Sequence, residues 1–278
     1  MKRILAFSFV GILSIGRVSA IPTSVDVGVF TIENYSANGG GGTNLTYMNA
    51  AGANFFLATE LVLSGYSQYA GNKIPTLVLN PHDDQVSRSA ITSTYAGSGG
   101  REFCNFIYYG GHGQNGALFL GGPPNSSGTY GTVAPGSLLF GWGGWNRWFL
   151  SNSCSAFNTA PSSPAAAWNG AFKGLKAMLG FKSHAFDIDL SADLYSDFWY
   201  NWTSREENLS RSFFDAESDY GYRNLFPSFG LEPGCLSAQV TNGISKDYCK
   251  ELFKNTNLDA ANSSSGNYYS RILGSPQY

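Results

Sequence analysis

Two apolar runs constrain this 278-residue chain more than any other feature: Phe106-Ile107-Tyr108-Tyr109-Gly110-Gly111-His112-Gly113 and Trp148-Phe149-Leu150-Ser151-Asn152-Ser153-Cys154-Ser155. Each is an apolar stretch of strand length that breaks into a turn of small residues. The strand over 103–109 is apolar on both faces apart from Asn105, as a central parallel strand must be when helices cover both sides of its sheet. The first run delivers a histidine beside glycines, and the second delivers a cysteine 42 residues later, 154 minus 112. If the two strands are parallel neighbours, an imidazole and a thiol emerge at the same sheet edge, where open α/β sheets gather their binding sites.

The rest of the chain fits such a sheet. Val25, Val27 and Val29 alternate with Asp26 and Gly28 ahead of Phe30-Thr31-Ile32, a first strand. Residues 49–66 carry Phe55, Phe56, Leu57, Leu61 and Val62 at helical spacing. Further strands are expected over 76–80, 145–151 and 175–183, with helices over 165–174 and 191–202. The 191–202 helix sets Leu194, Phe198 and Trp202 on one face, and Ser204-Arg205-Glu206-Glu207 reads as a capping box for a helix ending near Tyr220. Alternating strands and helices predict an α/β fold, a mainly parallel sheet flanked by helices, over 21–220. Between Gly113 and Phe140 lies a Gly, Pro, Ser and Asn-rich excursion, with Leu118-Phe119-Leu120 and Leu138-Leu139-Phe140 as brief strands. Residues 221–278 are polar and irregular and read as a C-terminal appendage.

Lys2 and Arg3, the apolar stretch Ile4 to Ile15 and the small-x-small Val18-Ser19-Ala20 predict a signal peptide over 1–20 and a secreted product. Removing Lys2, Arg3 and Arg17 leaves 14 basic against 19 acidic residues, a formal charge of -5, which attracts no nucleic acid. No later stretch reaches the roughly 20 apolar residues of a membrane span. Sequons at Asn34, Asn44, Asn125, Asn201, Asn208 and Asn262 are consistent with a glycoprotein. Cys235 and Cys249, 14 apart, are expected to form a disulfide worth about 3 kcal/mol. Cys104 begins its strand while Cys154 follows the end of another, so no bridge between them is expected and Cys104 reads as core.

A thiol beside an imidazole supports nucleophilic acyl transfer. The thiolate attacks a carbonyl carbon, the imidazolium protonates the leaving amine, and backbone amides at Gly113 and Cys154 are placed to hold the oxyanion. Gly111 and Gly113 read as space for a substrate backbone. His184, Asp187 and Asp189 follow the fifth strand; solvated loop positions are the plain reading, selection of a basic substrate side chain the functional one. His82-Asp83-Asp84 is a metal-ligand candidate that reads better as an exposed turn after Pro81. Zinc at Cys154 and His112 lacks a local chelating pair. No Gly-x-Ser-x-Gly elbow surrounds Ser151, Ser153 or Ser155, and Gly39 to Gly42 lacks the Lys-Ser/Thr of a phosphate loop. Trp142, Trp145 and Trp148 read as core and rim, with an aromatic sugar platform as the alternative.

On His-Gly after one apolar strand and Ser153-Cys154 after the next, the sequence resembles the caspase-like (clan CD) cysteine peptidases. That resemblance implies a caspase-like sandwich, endopeptidase activity and a dyad of His112 and Cys154. It departs from the peptidases at Ser153, where they commonly have Ala, and in the two polar residues Asn152 and Ser153. The stretch from Val27 to about Tyr220 also resembles an uncharacterised domain family of secreted proteins, through Tyr109-Gly110-Gly111-His112-Gly113, Trp145-Asn146-Arg147-Trp148 with Ser153-Cys154, Leu179-Gly180-Phe181 and Phe213-Phe214-Asp215-Ala216. The expectation is a secreted Cys-His hydrolase that needs no cofactor and acts on a peptide or protein substrate. The alternative is a catalytically silent extracellular binding or surface protein on the same fold.

Overall fold

The computed structural model describes residues 24–35, 43–65, 74–87, 91, 104–121, 131–133, 148–158, 167–168, 175–185, 187, 191–219, 233–238, 247–253 and 268–272. The leader, Trp142, Trp145, Asp189, Asn125, Asn262 and the 138–140 strand expectation lie outside them. The mixed α/β sandwich expected from the sequence is present. Its strands are β1 (Ser24–Thr31), β2 (Ile74–Leu79), β3 (Phe106–Gly110), β4 (Gly113–Gln114), β5 (Ala117–Phe119), β6 (Thr132–Val133), β7 (Trp148–Asn152), β8 (Ala177–Phe181), β9 (Pro233–Ala238) and β10 (Tyr268–Ile272). The longer helices are α1 (Met48–Gly65), α2 (Ser191–Thr203) and α3 (Leu209–Asp219).

Seven strands form one sheet in the order β10-β9-β8-β7-β3-β1-β2, and β4-β5-β6 form a second, small sheet. The five strands from β8 to β2 run parallel, and β9 and β10 extend the sheet through antiparallel pairs. Register is direct across the centre: Val27, Phe106 and Trp148 are aligned, as are Thr31, Gly110 and Asn152. The chain moves from β1 outward to β2 on one side and through β3, β7 and β8 on the other, so its winding reverses between β1 and β3.

All five residues of each of β3, β7 and β8 are buried, because both faces are covered. On one face Tyr108 stacks on Phe55 of α1 at 5.2 Å, Phe106 lies 5.5 Å from Trp199, and Trp148 meets Trp202 edge-on at 5.6 Å. On the other, Phe149 lies 6.4 Å from Trp168. The indole N–H groups of Trp148 and Trp199 are buried with no acceptor among the described residues. Each such donor costs about 1–3 kcal/mol. Burying about 200 Å² of indole gains about 5 kcal/mol, so the packing term wins. The same burial removes Trp148 as a sugar platform.

Three expectations are corrected. Within the span read as an irregular C-terminal appendage, two described segments are strands of the main sheet: β9 pairs with β8 and β10 with β9. The expected Cys235–Cys249 disulfide is present and ties buried β9 to the 3-10 turn Tyr248–Lys250. The cap of α3 is Asn208 and not Ser204, for the Asn208 side chain accepts from Arg211 N at 2.9 Å and its carbonyl takes the first helical bond from Ser212 N. Asn201 is 1% exposed within α2, so a glycan cannot reach its amide in this fold. Cys104 is buried in the core as expected.

The cap assignment predicts that Asn208→Ala lowers unfolding stability in urea by about 1 kcal/mol, whereas Ser204→Ala costs less. An equal or larger loss for Ser204→Ala would return the cap to the sequence-based position.

Candidate active site

At the carboxyl edge the backbone groups past each strand end need partners, and those partners build the site. Beyond the last ladder pair, Gly110 with Asn152, the Gly111 amide donates to Asn152 O at 3.2 Å. The two sequence motifs thus stay in register as they leave the sheet. Asn115 and Gly116 then take φ of 50° and 82°, the two left-handed positions of a tight hairpin turn joining β4 to β5. Gly116 N reaches Ser155 O at 2.9 Å, so this hairpin folds against the cysteine turn.

His112 is half-buried and held on every side. Its amide donates to Tyr35 Oη at 2.7 Å, and Tyr109 Oη donates to its carbonyl at 3.0 Å. The ring lies 4.6 Å from the Tyr35 ring and edge-on to Phe119 at 6.5 Å. Nε2 sits 2.7 Å from the Thr43 carbonyl. A carbonyl only accepts, so Nε2 carries a proton, and the neutral tautomer of the ring has its lone pair on Nδ1. Burial pushes both tyrosine hydroxyls well above their usual titration range, so Tyr35 and Tyr109 stay neutral around the imidazole.

Cys154 follows β7 at a sharp turn, with Ser155 at φ 54°, a left-handed conformation uncommon for serine. Ser155 N reaches Ser183 O and Phe157 N reaches Phe181 O, which carry the turn along the end of β8. The two polar residues that depart from the peptidase pattern are buried and pin the turn. Asn152 Nδ2 donates to Tyr108 Oη at 3.2 Å, and Ser153 Oγ pairs with Ser151 Oγ at 2.7 Å. Cys154 Sγ donates to Ala185 O at 3.3 Å and lies 3.4 Å from Ala185 N. Burial pushes this thiol up, and the amides of Ala185 and of Cys154 itself oppose the rise only in part. The resting group is therefore a neutral thiol.

The glycines have a different reason from the expected one. A Cβ on Gly113 would stand 2.5 Å from Cys154 O, and one on Gly111 would stand 2.7 Å from Tyr35 Oη. They permit the close packing of the His112 loop on the cysteine turn and on the tyrosine pair, rather than opening room for substrate. Phe119 N donates to His112 O, which makes Gly113 and Leu118 a non-hydrogen-bonded pair. The Gly113 amide accordingly faces away from β5.

The Asp187 carboxylate, a candidate selector of a basic substrate side chain, is engaged within the chain. It accepts from the amides of Thr46 and Tyr47 (2.6 Å for Tyr47) just before α1. His184 is exposed. His82 is likewise engaged within the chain: Thr31 Oγ1 donates to Asn49 Oδ1, and His82 Nδ1 lies 2.6 Å from that hydroxyl and 3.0 Å from Asn49 Oδ1. Asp83 accepts from Glu33 N and Asn34 N at 2.8 Å each. These contacts bind the ends of β1 and β2 to α1. Among the described residues no group of three or more His, Cys, Asp or Glu side chains is arranged to hold a metal, and no helix is long and apolar enough to cross a membrane.

The site is that of an α/β protein presenting a half-buried imidazole and thiol on adjoining loops at one sheet edge. Residues 92–221 match a family described as a Domain of unknown function (DUF6345), to which the chain is similar over that stretch. The match takes in β3, β7, β8, α2 and α3, with both His112 and Cys154, and its description carries no activity. No curated protein matches the chain.

The neutral thiol predicts a pH profile. Because burial raises its pKa, the thiolate fraction near pH 7 is below that of an exposed cysteine and grows about tenfold per pH unit. Iodoacetamide labelling of Cys154, followed by peptide mapping, is expected to keep rising beyond the pH where an exposed thiol levels off. A plateau below about pH 8 would contradict the burial argument.

Proposed function

We propose that the chain is a secreted Cys-His hydrolase acting on peptide bonds, with Cys154 as nucleophile and His112 as general base and acid. The observation that carries this reading is the parallel register of β3 with β7, continued by the Gly111 bond to Asn152, which makes the histidine and cysteine loops leave the sheet together. Because the thiol is neutral at rest, the imidazole works at the moment of attack and not through a preformed ion pair. Nδ1 takes the Sγ proton as sulfur bonds to the carbonyl carbon. The Thr43 carbonyl, already bonded to Nε2–H, stabilises the imidazolium. The imidazolium returns the proton to the amine as the C–N bond breaks, and water then hydrolyses the thioester. The amides of Gly113 and Cys154 are the proposed oxyanion donors, and the chemistry calls for no cofactor. The basic, apolar leader and the Cys235–Cys249 disulfide support an exported product. Glycans are proposed at Asn34, Asn44, Asn125, Asn208 and Asn262.

A second reading, a silent extracellular binding protein, is favoured by one observation: the hydrogen bonds of the sulfur go to Ala185 and that of the ring to Thr43. The hydrolase reading predicts cleavage in a peptide-library screen that falls at least about 100-fold in both Cys154→Ala and His112→Ala. No cleavage by the parent protein would leave the silent binding protein standing.

A further inference from the structure

The half-site around His112 and the half-site around Cys154 are supported by different loops. The imidazole leans on the segment before α1, through the Thr43 carbonyl at 2.7 Å. The sulfur leans on the segment after β8, through the Ala185 amide and carbonyl at 3.4 and 3.3 Å. Thr43 is three residues before Thr46, and Ala185 is two residues before Asp187. The Asp187 carboxylate, which accepts from the Thr46 and Tyr47 amides, is therefore a direct tie between the two supports.

A carboxylate at these amides, which lead into α1, is favourable on its own account, since the amino end of a helix carries partial positive charge. The same helix end already has a second carboxylate. Glu33 accepts from Asn49 N at 2.8 Å and from Asn49 Nδ2 at 2.9 Å, and it comes from the end of β1 and not from the cysteine side. Two acids thus cap one helix, but only Asp187 spans from the loop that holds the sulfur to the loop that holds the ring. Burial holds the Tyr108 hydroxyl well above its usual titration range, and the Asp187 carboxylate adds to that rise.

We infer that Asp187 is a positioning residue, a latch that fixes the thiol loop against the imidazole loop and keeps Cys154 in its shielded resting place. Its effect on turnover rests on the hydrolase reading above, while its effect on the thiol does not. Releasing the latch frees the Ala185 segment, exposes the sulfur to water and separates it from the ring. Resting reactivity and catalysis then move in opposite directions, which simple loss of stability does not produce.

The experiment compares Asp187→Ala, the milder Asp187→Asn and the control Glu33→Gln in the full chain. It follows iodoacetamide labelling of Cys154 near pH 7, the His112 ring proton resonances by NMR, and peptide cleavage. Relief of burial worth half a pKa unit gives about threefold faster labelling. The expectation is at least that for Asp187→Ala, a smaller rise for Asp187→Asn, shifted His112 resonances in both, and slower cleavage. Glu33→Gln is expected to weaken α1 while leaving labelling and resonances at parental values. Parental labelling in both Asp187 variants, or an equal change in Glu33→Gln, overturns the latch. If no preparation cleaves peptide but labelling responds as described, the latch stands and the hydrolase reading falls.

Discussion

The ladder that sets β3 between β1 and β7 is the constraint on which the remaining geometry depends. Thr31, Gly110 and Asn152 end their strands level with one another, so the loops that follow begin from one line. A slip of one residue would turn Tyr108 away from Phe55 and Tyr195 and turn Phe149 away from Trp168. Both sheet faces are packed with aromatic side chains, so neither can accept the exchange. The register is fixed by packing on two sides at once, and the edge that carries the loops inherits its alignment from the core.

Beyond the ladder the organising force changes from apolar packing to satisfaction of backbone groups. Tyr35 and Tyr109 hold the two ends of the His112 peptide, Thr43 holds its ring, Ala185 holds the sulfur, and Glu33, Asp83 and Asp187 take amides. With only 13% of the residues charged, several carboxylates serve as acceptors for main-chain donors and not as partners for cations. Such bonds are charge-assisted and directional. They fix loops without an extensive core beneath them, as a site on loops requires.

The thiol illustrates how these forces are weighed. Burial opposes the thiolate and is the largest influence on Cys154, while two amides favour it. The balance leaves sulfur protonated and bonded to a carbonyl until something displaces that contact. A cysteine kept in this state resists adventitious oxidation, since the thiolate is the reactive form.

Much of the fold was legible in the sequence because apolar periodicity reports burial, and burial is local information. The runs at 106–110 and 148–152, the helix of Leu194, Phe198 and Trp202, and the pairing of Cys235 with Cys249 are of this kind. The Asn115-Gly116 turn carried a readable hairpin signal that the glycine-rich surroundings obscured. Residues 233–238 were misread as irregular because Pro, Gly and Ser dilute the pattern of a strand whose place comes from pairing with β8. The cap at Asn208 was missed because Ser204 offered the same chemistry four residues earlier, and only the chain path chose between them. The sequence by itself determined which strands were central and hence which side chains, His112 and Cys154, leave the sheet at one edge. Only the tertiary structure decided what holds them. Tyr35 lies 77 residues from His112 and Asp187 lies 140 from Tyr47, and hydrogen bonds between such remote positions depend on where the completed sheet delivers its loops, which no local pattern encodes.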